Sequence, residues 1–457
     1  MRGEITDGNR YIRSAIERGA VAVISDTEQA APAEVGFATV AHGRRALAHV
    51  AAAILGHPER KLAISGVTGT NGKTTTAFLL DSFLNDGARK TVLIGTIEYR
   101  IAGRAVASPH TTPESLDLLT VFAQGVAEEA TEAVMEVSSH ALDQGRVWGI
   151  PFDVAMFTNL TRDHLDYHKT MDAYFAAKRR LFEGTGATAP RVAVINADDE
   201  YGAQLVGLAG RYSVEVRSFG VESGDFRAED IERSPRGTAF TFRTPHGSVM
   251  LRSRLIGDVN VYNLLGAATA AHARGLSLDQ IAAASERARA VPGRFERVDL
   301  GQPFAVVVDY AHTDDALRNL IRIARGVVAP GKRVITVFGC GGDRDRTKRA
   351  LMGRAAGEGS DFVVVTSDNP RSEDPDAIIR EILPGLEDTD ADYTVHADRR
   401  AAIRIAVEAA QPGDIVLLAG KGHEKTQTTR AGVAAFDDVE EAKRALAALG
   451  FGVGASA

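Results

Sequence analysis

Short runs of Val and Ile alternate along the chain with longer stretches in which Ala, Leu and Arg recur at helical spacing. This alternation is typical of parallel strands joined by crossover helices. The first strand is predicted at residues 21–24 and the first helix at 45–55. Further strands, separated by helical segments, are predicted at residues 62–67, 92–97, 133–137, 154–157 and 192–195. Together these segments predict one large doubly wound sheet.

Two later segments have different patterns. Residues 219–255 alternate apolar and polar positions, which predicts antiparallel strands appended to the large sheet, and a helix is predicted at 261–272. A second series of strands and helices then begins, with a domain boundary near residues 292–297. Its strands are predicted at residues 304–309, 333–338, 361–366 and 414–419. The chain therefore has the pattern of an α/β protein with two parallel sheets.

Length, charge and cysteine content limit the kinds of protein that this chain can be. A chain of 457 residues predicts two to four domains. With 53 basic and 60 acidic residues it has no global positive field for nucleic acid or an anionic membrane, so phosphate must be bound locally. The single cysteine, Cys340, excludes an internal disulfide and is typical of a reducing compartment. We expect a cytoplasmic protein with no signal peptide or membrane span and a frayed tail from Gly450.

A glycine-rich segment, residues 68–75, lies between a predicted strand and a predicted helix. Backbone N–H groups at such a turn attract a polyphosphate, Lys73 adds a point charge, and the Thr74 hydroxyl can bind Mg²⁺. The strict pattern G-x-x-x-x-G-K-[ST] fails because Val67 occupies its first glycine position. We interpret the segment as a variant phosphate-binding loop. The alternative is a tight glycine turn with a solvated lysine.

Three further features lie in the predicted large sheet. Glu136 ends a predicted strand, where it could hold a metal or cap a helix, and its position alone leaves both open. The polar run 158–168 follows another strand end and is more typical of a site than of a solvated loop. Local sequence favours Lys178, among alanines on the next helix, as a surface lysine.

Four polar loops follow the strands of the second predicted sheet, at residues 309–312, 339–344, 368–371 and 419–424. Because the carboxyl ends of parallel strands meet at one edge of a sheet, these loops predict a binding face. Cys340 lies between glycines in the second of these loops. We interpret it as a small packed residue without a catalytic role.

Taken together, these motifs resemble the Mur ligase family. The segments TGTNGKTT, HTTPES, MEVSSHAL, DHLDYH, GDVNVYN, GRFE, DYAHT, GCGGDRD, DNPRSEDP and AGKGHE occur in the family's order and spacing, from about Asp7 to about Gln427. The resemblance implies a shortened N-terminal UDP-binding α/β domain at 1–58, a central ATP-binding domain with the phosphate loop at 59–294, and a Rossmann-like amino-acid-binding domain at 295–457. Members normally begin with a longer N-terminal domain, so we expect a truncated start or weakened uridine binding.

The resemblance also implies a reaction. It is the ATP-dependent joining of meso-2,6-diaminopimelate to the D-glutamyl γ-carboxylate of UDP-N-acetylmuramoyl-L-alanyl-D-glutamate, through an acyl phosphate, in peptidoglycan precursor synthesis. ATP, Mg²⁺ and a carbamylated Lys178 are the implied cofactors, and we expect a monomer. Folylpolyglutamate synthetases, a second possibility, share the loop, fold and chemistry but not DNPR and AGKGHE as a set. A nucleotide-binding protein that no longer catalyses is a third.

Residue roles follow from the same resemblance. Lys73, Glu136, His164 and Lys178 correspond to catalytic positions, and Thr74, Glu136, His164 and Lys178 to metal-binding positions, so the family interpretation of Lys178 replaces the local one. His110 replaces a frequent asparagine, and Asp314 a usual proline. The other correspondences are, for ATP, Gly69, Thr70, Asn71, Gly72, Lys73, Thr74, Thr75, Asn260, Asn263, Arg294, Asp309 and His312; for the UDP-substrate, Thr111, Thr112, Ser138, Gln144 and Arg146; and for diaminopimelate, Arg344, Asp368, Asn369, Pro370, Arg371, Gly420 and Glu424.

Overall fold

The computed structural model describes residues 7–28, 35–212, 214–234, 237–288 and 291–452. The polar start at residues 1–6 and most of the tail expected to fray, residues 453–457, lie outside the described residues. The chain forms two compact units. The first contains residues 1–230, 240–251 and 262–287, and the second contains residues 231–239, 252–261 and 288–457.

The N-terminal part of the first unit contains a two-stranded parallel sheet between two helices. Helix α1 (Ile12–Glu17) precedes strand β1 (Ala22–Ser25), which pairs in parallel with β2 (Gly36–Thr39). Helix α2 (Gly43–Ile54) follows, and it buries Ala48, Ala51 and Ala52. Short 3-10 helices lie at Gly8–Tyr11, Pro58–Arg60 and, later, Gly210–Tyr212. The predicted strand at 21–24 and helix at 45–55 are confirmed to within two residues.

A large sheet follows, of 11 strands among the described residues, in the order β13-β12-β11-β10-β9-β8-β3-β7-β4-β5-β6. All five strands predicted at 62–195 are confirmed. The strands are β3 (Ala63–Thr68), β4 (Thr91–Ile94), β5 (Glu98–Ile101), β6 (Arg104–Ala107), β7 (Glu132–Glu136), β8 (Phe152–Phe157), β9 (Val192–Asn196), β10 (Glu215–Gly220), β11 (Phe226–Ser234), β12 (Gly237–Thr244) and β13 (Gly247–Ser253). The helices are α3 (Lys73–Asp86), α4 (Ser115–Ala127), α5 (Ser139–Gln144), α6 (Leu165–His168), α7 (Met171–Glu183), α8 (Glu200–Ala209), α9 (Asp258–Ala273) and α10 (Leu278–Arg287).

Strand β3 lies between β7 and β8 and pairs in parallel with both. Its residues are buried almost throughout, which explains an apolar run without alternation. Gly66 lies against the Phe152 ring, where an added Cβ would be 2.7 Å from the ring. The register places Val67 beside Glu136 and Thr68 beside Phe157. Three consecutive strands of the sheet therefore end at one edge, beside the glycine-rich loop.

The strands predicted in residues 219–255 are added at the end of this sheet, next to β10. One detail of that prediction is wrong, because β10 pairs with β11 in parallel at Phe219 and Phe226, where an antiparallel pair was expected. The loop between the two strands is held by Asp198, whose carboxylate accepts hydrogen bonds from the backbone N–H groups of residues 221–223. Alternation of side chains reports which face is buried and carries no information on strand direction.

The second unit contains a six-stranded sheet in the order β14-β15-β19-β16-β17-β18. The four strands predicted here are confirmed as β15, β16, β17 and β19. The strands are β14 (Glu296–Val298), β15 (Ala305–Asp309), β16 (Val334–Phe338), β17 (Phe362–Val365), β18 (Asp392–Val395) and β19 (Ile415–Ala419), with a hairpin of β20 (Thr426–Thr429) and β21 (Gly432–Ala435). The helices are α11 (Asp314–Val327), α12 (Lys348–Gly359), α13 (Pro375–Glu387), α14 (Arg399–Ala409) and α15 (Asp438–Ala448).

Two hydrophobic cores cover the faces of this second sheet. Val307 and Leu417 pack with helices α11, α12 and α13, whereas Val306 and Leu418 pack with α14 and α15. Successive strand residues point to opposite faces, so the unbroken apolar strands supply both cores. The result is the three-layer, Rossmann-like arrangement that was predicted.

Cys340 follows β16 and is 1% exposed. Its Sγ lies 3.6 Å from the Met352 sulfur, and burial raises the pKa of its thiol to about 12. The thiol is therefore neutral and packed, as the sequence predicted. Among the described residues, no helix combines the length and the apolar character that crossing a membrane requires.

Candidate functional site

The glycine-rich loop connects β3 to α3 and is fixed by the end of β8. The backbone N–H of Thr70 donates to the Asn159 carbonyl oxygen (2.9 Å), and that of Asn71 donates to Asn159 Oδ1 (2.9 Å). Thr158 Oγ1 donates to the Asn71 carbonyl oxygen (2.6 Å). The loop is therefore preformed at the N-terminus of α3, where backbone N–H groups favour an anion.

Both glycines of the loop are required by its geometry. Gly69 has φ +150°, and an added Cβ would lie 1.9 Å from Thr158 Oγ1. Gly72 has φ +83°, and an added Cβ would lie 2.4 Å from Asn263 Oδ1. Asn263 Oδ1 also accepts from Thr76 Oγ1 (3.3 Å), so this predicted nucleotide residue contacts the first turn of α3.

Two lysines bind the same backbone oxygen of this loop. Lys73 Nζ donates to the Gly69 carbonyl oxygen (2.9 Å) and to that of Thr70 (2.8 Å). Lys178 Nζ donates to the Gly69 carbonyl oxygen as well (2.7 Å). Lys178 is 1% exposed, and burial together with the Lys73 charge lowers its pKa well below the ordinary value. The surface interpretation of Lys178 is therefore wrong: α7 turns this lysine inward, against the loop.

Glu136 joins the loop to the next group of predicted residues. Its Oε2 accepts from Thr74 Oγ1 (2.9 Å), and its Oε1 accepts from the backbone N–H of Thr96 (2.7 Å). Its backbone carbonyl oxygen accepts from Thr112 Oγ1 (2.9 Å), and Thr112 Oγ1 in turn accepts from the Ser138 N–H (3.0 Å). Glu136 is 1% exposed, and the N-cap of the helix that follows it, α5, is Ser138. One chain of hydrogen bonds thus runs from Thr74 to Ser138.

The other residues predicted for the UDP-substrate are close to Thr112. Arg146 donates from Nη1 to the Thr112 carbonyl oxygen (3.1 Å) and from Nη2 to Gln144 Oε1 (2.8 Å). Thr111 Oγ1 lies 3.0 Å from Thr96 Oγ1. Ser138 Oγ is engaged as the N-cap of α5, where it accepts from the backbone N–H of Ala141.

A group of aromatic and imidazole rings lies beside Lys178. Tyr174 has its ring centroid 4.6 Å from Lys178 Nζ, and its hydroxyl lies 3.2 Å from Thr70 Oγ1. The His164 ring packs 6.0 Å from Tyr174 and 4.9 Å from His140. His164, the predicted metal ligand, therefore shares Tyr174 as a neighbour with Lys178. His164 has φ +53°, a strained conformation that its position before α6 imposes.

These residues fit a magnesium ion bound with phosphate. Within the described ranges, no group of three or more His, Cys, Asp and Glu side chains could hold a metal by itself. Mg²⁺ usually binds proteins through one or two carboxylates and keeps phosphate and water as its other ligands. The Thr74 hydroxyl next to the buried Glu136 carboxylate provides that kind of incomplete set.

The remaining predicted nucleotide residues belong mostly to the second unit. Asp309 accepts from the backbone N–H groups of Phe295 (2.7 Å) and Ala311 (2.9 Å) and so fixes the turn around Arg294. The Arg294 guanidinium covers the Tyr310 ring at 4.9 Å, and the His312 ring lies 4.6 Å from Tyr310. Asn260 is engaged with the Ile256 carbonyl oxygen at the start of α9. In the described part of the chain, Arg294 Nε finds no hydrogen-bond partner, which fits a donor aimed at a ligand.

The residues predicted for diaminopimelate form a cluster after β17 and β19. Asn369 Nδ2 donates to Glu424 Oε2 (2.8 Å), and the backbone of Gly420 lies against the Asp368 carboxylate. Burial raises the pKa of Asp368, while the nearby Arg399 and Lys421 charges lower it. We call Asp368, Asn369, Lys421 and Glu424 the C-terminal cluster.

Two arginines and a proline predicted for the same pocket lie around this cluster. Arg371 has φ +53°, and its Nη1 donates to the Gly342 carbonyl oxygen (2.7 Å). Pro370 is buried between the loops, with its carbonyl oxygen against Gly342. Arg344 is exposed and binds the carbonyl oxygen of Asp343, so the structure places it at the rim.

Sequence reasoning assigned no role to four residues at these positions. Thr158 and Asn159 shape the phosphate loop, Tyr174 contacts both the loop and Lys178, and Lys421 lies inside the C-terminal cluster. The polar run at 158–168 and the segment AGKGHE had drawn attention to three of the four. Tyr174 gave no signal, because an aromatic residue on an amphipathic helix usually belongs to the core.

The fold defines a multidomain α/β protein with a glycine-rich loop at a helix N-terminus in one unit and a cluster of charged and amide side chains in the other. The Mur ligase middle domain matches residues 67–271, and the Mur ligase glutamate ligase domain matches residues 293–422. The chain belongs to the Mur ligase family.

Named relatives and solved structures agree with this family. The UDP-N-acetylmuramoyl-L-alanyl-D-glutamate–2,6-diaminopimelate ligase of Solibacter usitatus is 51% identical over 450 residues, which are 98% of this chain and 90% of the relative. The enzyme of that name from Geobacillus thermodenitrificans is 45% identical over 451 residues, 98% of this chain and 91% of the relative. A solved structure of such a ligase superposes with a TM-score of 0.71 at 34% identity, over 96% of this chain and 89% of the other.

The fold is shared more widely. A Mycobacterium tuberculosis folylpolyglutamate synthase, solved with ADP and AMPPCP, superposes with a TM-score of 0.67 over 82% of this chain and 92% of the other. Its sequence identity is only 18%, so this likeness concerns the fold alone.

The geometry of the loop predicts the effect of adding one methyl group. Gly69→Ala introduces about 1 to 3 kcal/mol of strain, because its Cβ meets Thr158 and its φ is unfavourable; this predicts a loss of affinity for ATP of roughly 5- to 150-fold. Titration calorimetry with ATP and Mg²⁺ measures the change. The control is Gly207→Ala on α8, where an added Cβ has no heavy atom within 4 Å. Equal affinities of the two variants would contradict the proposed role of the loop.

Proposed function

We propose that this chain is an ATP-dependent ligase that joins meso-2,6-diaminopimelate to the D-glutamyl γ-carboxylate of UDP-N-acetylmuramoyl-L-alanyl-D-glutamate, in peptidoglycan precursor synthesis. Relatives of that name cover 98% of the chain at 45–51% identity. The structural observation that carries the proposal is the hydrogen-bond chain from Thr74 through Glu136 to Thr112 and Ser138. It connects the phosphate-binding loop to the residues proposed to hold the acceptor carboxylate.

The reaction has two steps. A γ-carboxylate oxygen attacks the terminal phosphorus of ATP, the bond to ADP breaks, and an acyl phosphate forms. The neutral amine of diaminopimelate then attacks the carbonyl carbon, a proton leaves the nitrogen, and the tetrahedral intermediate expels phosphate to give the amide. Lys73 and the loop N–H groups stabilise the charge on the transferred phosphoryl group. Mg²⁺, held by Thr74 and Glu136, would supply further charge neutralisation.

We propose that Lys178 acts as a carbamate. An ammonium at its position lies beside Lys73 on one carbonyl oxygen, an unfavourable arrangement for two cations in a site with little water. Burial and the Lys73 charge lower the pKa of Lys178, which favours its neutral amine, and this is the form that adds to CO₂. Addition of this neutral amine to CO₂ forms an N–C bond, opens one C=O double bond and releases one proton, which leaves an anionic carbamate. Together with His164, the carbamate would hold a metal ion.

Asp368, Asn369 and Glu424 of the C-terminal cluster, together with Arg371, are proposed to bind diaminopimelate. Its ammonium groups suit the carboxylates of Asp368 and Glu424, and a guanidinium can hold its distal carboxylate through two hydrogen bonds. Arg294, Asp309, His312, Asn260 and Asn263 are proposed to contact the nucleotide. We also propose the division into domains at 1–58, 59–294 and 295–457, a monomeric state and a cytoplasmic location, where ATP and the UDP-linked substrate are available.

Turnover should depend on both substrates, because the proposed phosphoryl donor and the proposed amine pocket lie on different units. We expect phosphate release from ATP only when UDP-N-acetylmuramoyl-L-alanyl-D-glutamate and diaminopimelate are both present, measured with a coupled phosphate assay. Lys73→Ala should abolish this release and leave the circular dichroism spectrum unchanged. Rapid ATP hydrolysis by the protein alone would exclude the ligase and favour a plain ATPase.

Selectivity for diaminopimelate should depend on Arg371. Arg371→Ala removes a charge-assisted bidentate pair with the distal carboxylate. The transition state should lose about 2 to 4 kcal/mol of stabilisation, so kcat/KM for diaminopimelate should fall roughly 30- to 1,000-fold. L-Lysine lacks the distal carboxylate, so its use should change little. The control is Arg380→Ala, which changes an exposed arginine of α13. Equal use of L-lysine and diaminopimelate by the unchanged enzyme would show that Arg371 does not select the substrate.

The carbamate predicts a chemical rescue. Lys178→Ala should nearly abolish ligation without unfolding the protein, and acetate or formate should restore part of the activity by occupying the vacated position. Intact-protein mass spectrometry after trapping the carbamate by alkylation should detect it in the unchanged protein and not in the variant. The control is Lys90→Ala, which changes an exposed lysine paired with Glu129 and should have wild-type activity. Wild-type activity of Lys178→Ala at low bicarbonate would refute the carbamate.

A further inference from the structure

Lys421 is a fully buried lysine with no role in the mechanism above. It lies between Gly420 (φ +114°) and Gly422 (φ +52°) in the loop after β19 and is 0% exposed. Lysine is rarely buried completely, because removing an ammonium group from water is unfavourable unless charged partners compensate. Its burial therefore requires an explanation in the groups around it.

The Lys421 ammonium contacts the other three members of the C-terminal cluster. Its Nζ lies 3.2 Å from Glu424 Oε2, 3.3 Å from Asn369 Oδ1 and 3.7 Å from Asp368 Oδ1. Glu424 Oε2 also accepts from Asn369 Nδ2, so the lysine and the amide hold the same carboxylate oxygen from two directions. Thr428 N–H fixes the Asn369 amide by donating to its Oδ1 (2.9 Å). The orientation of Glu424 is thus determined by Lys421 and Asn369.

The charges of the cluster also depend on this lysine. Burial raises the pKa of Asp368, and the charge of the neighbouring Glu424 carboxylate raises it further. The other buried cation, Arg399, is already bound through two nitrogens to Asp438. Lys421, in contrast, contacts both carboxylates directly, at 3.2 Å from Glu424 and 3.7 Å from Asp368. Two ionised carboxylates in fixed positions are what an ammonium group of a substrate needs.

We propose that Lys421 is a positioning residue for the amino-acid substrate: it holds the Glu424 carboxylate and the Asn369 amide in the orientation that binds the substrate's ammonium group, without touching the substrate itself. This inference rests on the proposed function, since it assumes that the C-terminal cluster is the amino-acid pocket. A lysine that only stabilises the unit would make the same contacts, but its removal would affect all substrates alike.

Steady-state kinetics of Lys421→Met separate the two roles. Loss of the charged hydrogen bond to Glu424 predicts a rise in KM for diaminopimelate of roughly 10- to 150-fold. KM for ATP and for the UDP-substrate, and kcat at saturation, should stay within about threefold, because those residues lie elsewhere. Lys425→Met is the matched control: this lysine is four residues further on, exposed, and paired with Asp437. Parallel changes in all three KM values would overturn the proposal.

A double variant tests whether Lys421 acts through Glu424. Glu424→Gln should itself raise KM for diaminopimelate, and adding Lys421→Met should raise it by less than about threefold more, since the partner is already gone. If the two substitutions instead raise KM independently, so that their fold-changes multiply in the double variant, the proposal is overturned. If Lys421→Met and the double variant both fail to fold, the lysine is a stabilising residue and the proposal is wrong. Failure of the unchanged enzyme to use diaminopimelate would instead refute the proposed function.

Discussion

No side chain fits between Gly69 of the glycine-rich loop and the end of β8. Gly69 lies against Thr158 and Asn159, and this close approach fixes the loop in a conformation whose carbonyl oxygen points to two lysines. Strand β3, which leads into this loop, pairs in parallel with β7 on one side and β8 on the other. The positions of Thr74, Glu136 and Lys178 depend on this one contact, because each is bonded to the loop or to the first turn of α3.

Much of this arrangement could be predicted from the sequence. The apolar runs of β3, β7, β8 and β9 are unbroken because both faces of these strands are buried, so their positions could be read within one or two residues. Strand order within a parallel sheet then brings Glu136 and the 158–168 run to the edge where the loop begins. The four polar loops of the second unit follow β15, β16, β17 and β19 for the same reason.

The rest depends on contacts between residues far apart in the chain. Lys178 lies 109 positions from the carbonyl oxygen that it binds, and its local sequence is that of a surface helix. Lys421 is buried by residues more than 50 positions away, so its surroundings cannot be read from AGKGHE alone. The parallel pair of β10 and β11 was missed because alternation of apolar residues reports a buried face and not a strand direction. In each case tertiary packing decides what local pattern leaves open.

The central claim is that the chain activates a substrate carboxylate by phosphorylation before an amine attacks it. The most direct measurement uses UDP-N-acetylmuramoyl-L-alanyl-D-glutamate with both oxygens of the γ-carboxylate replaced by ¹⁸O, together with unlabelled ATP and diaminopimelate. If an acyl phosphate forms, one ¹⁸O is transferred to each phosphate released, and mass spectrometry of the phosphate detects it. Amide formation with phosphate that carries no ¹⁸O would contradict the account, since the carboxylate oxygen would never have been bonded to phosphorus.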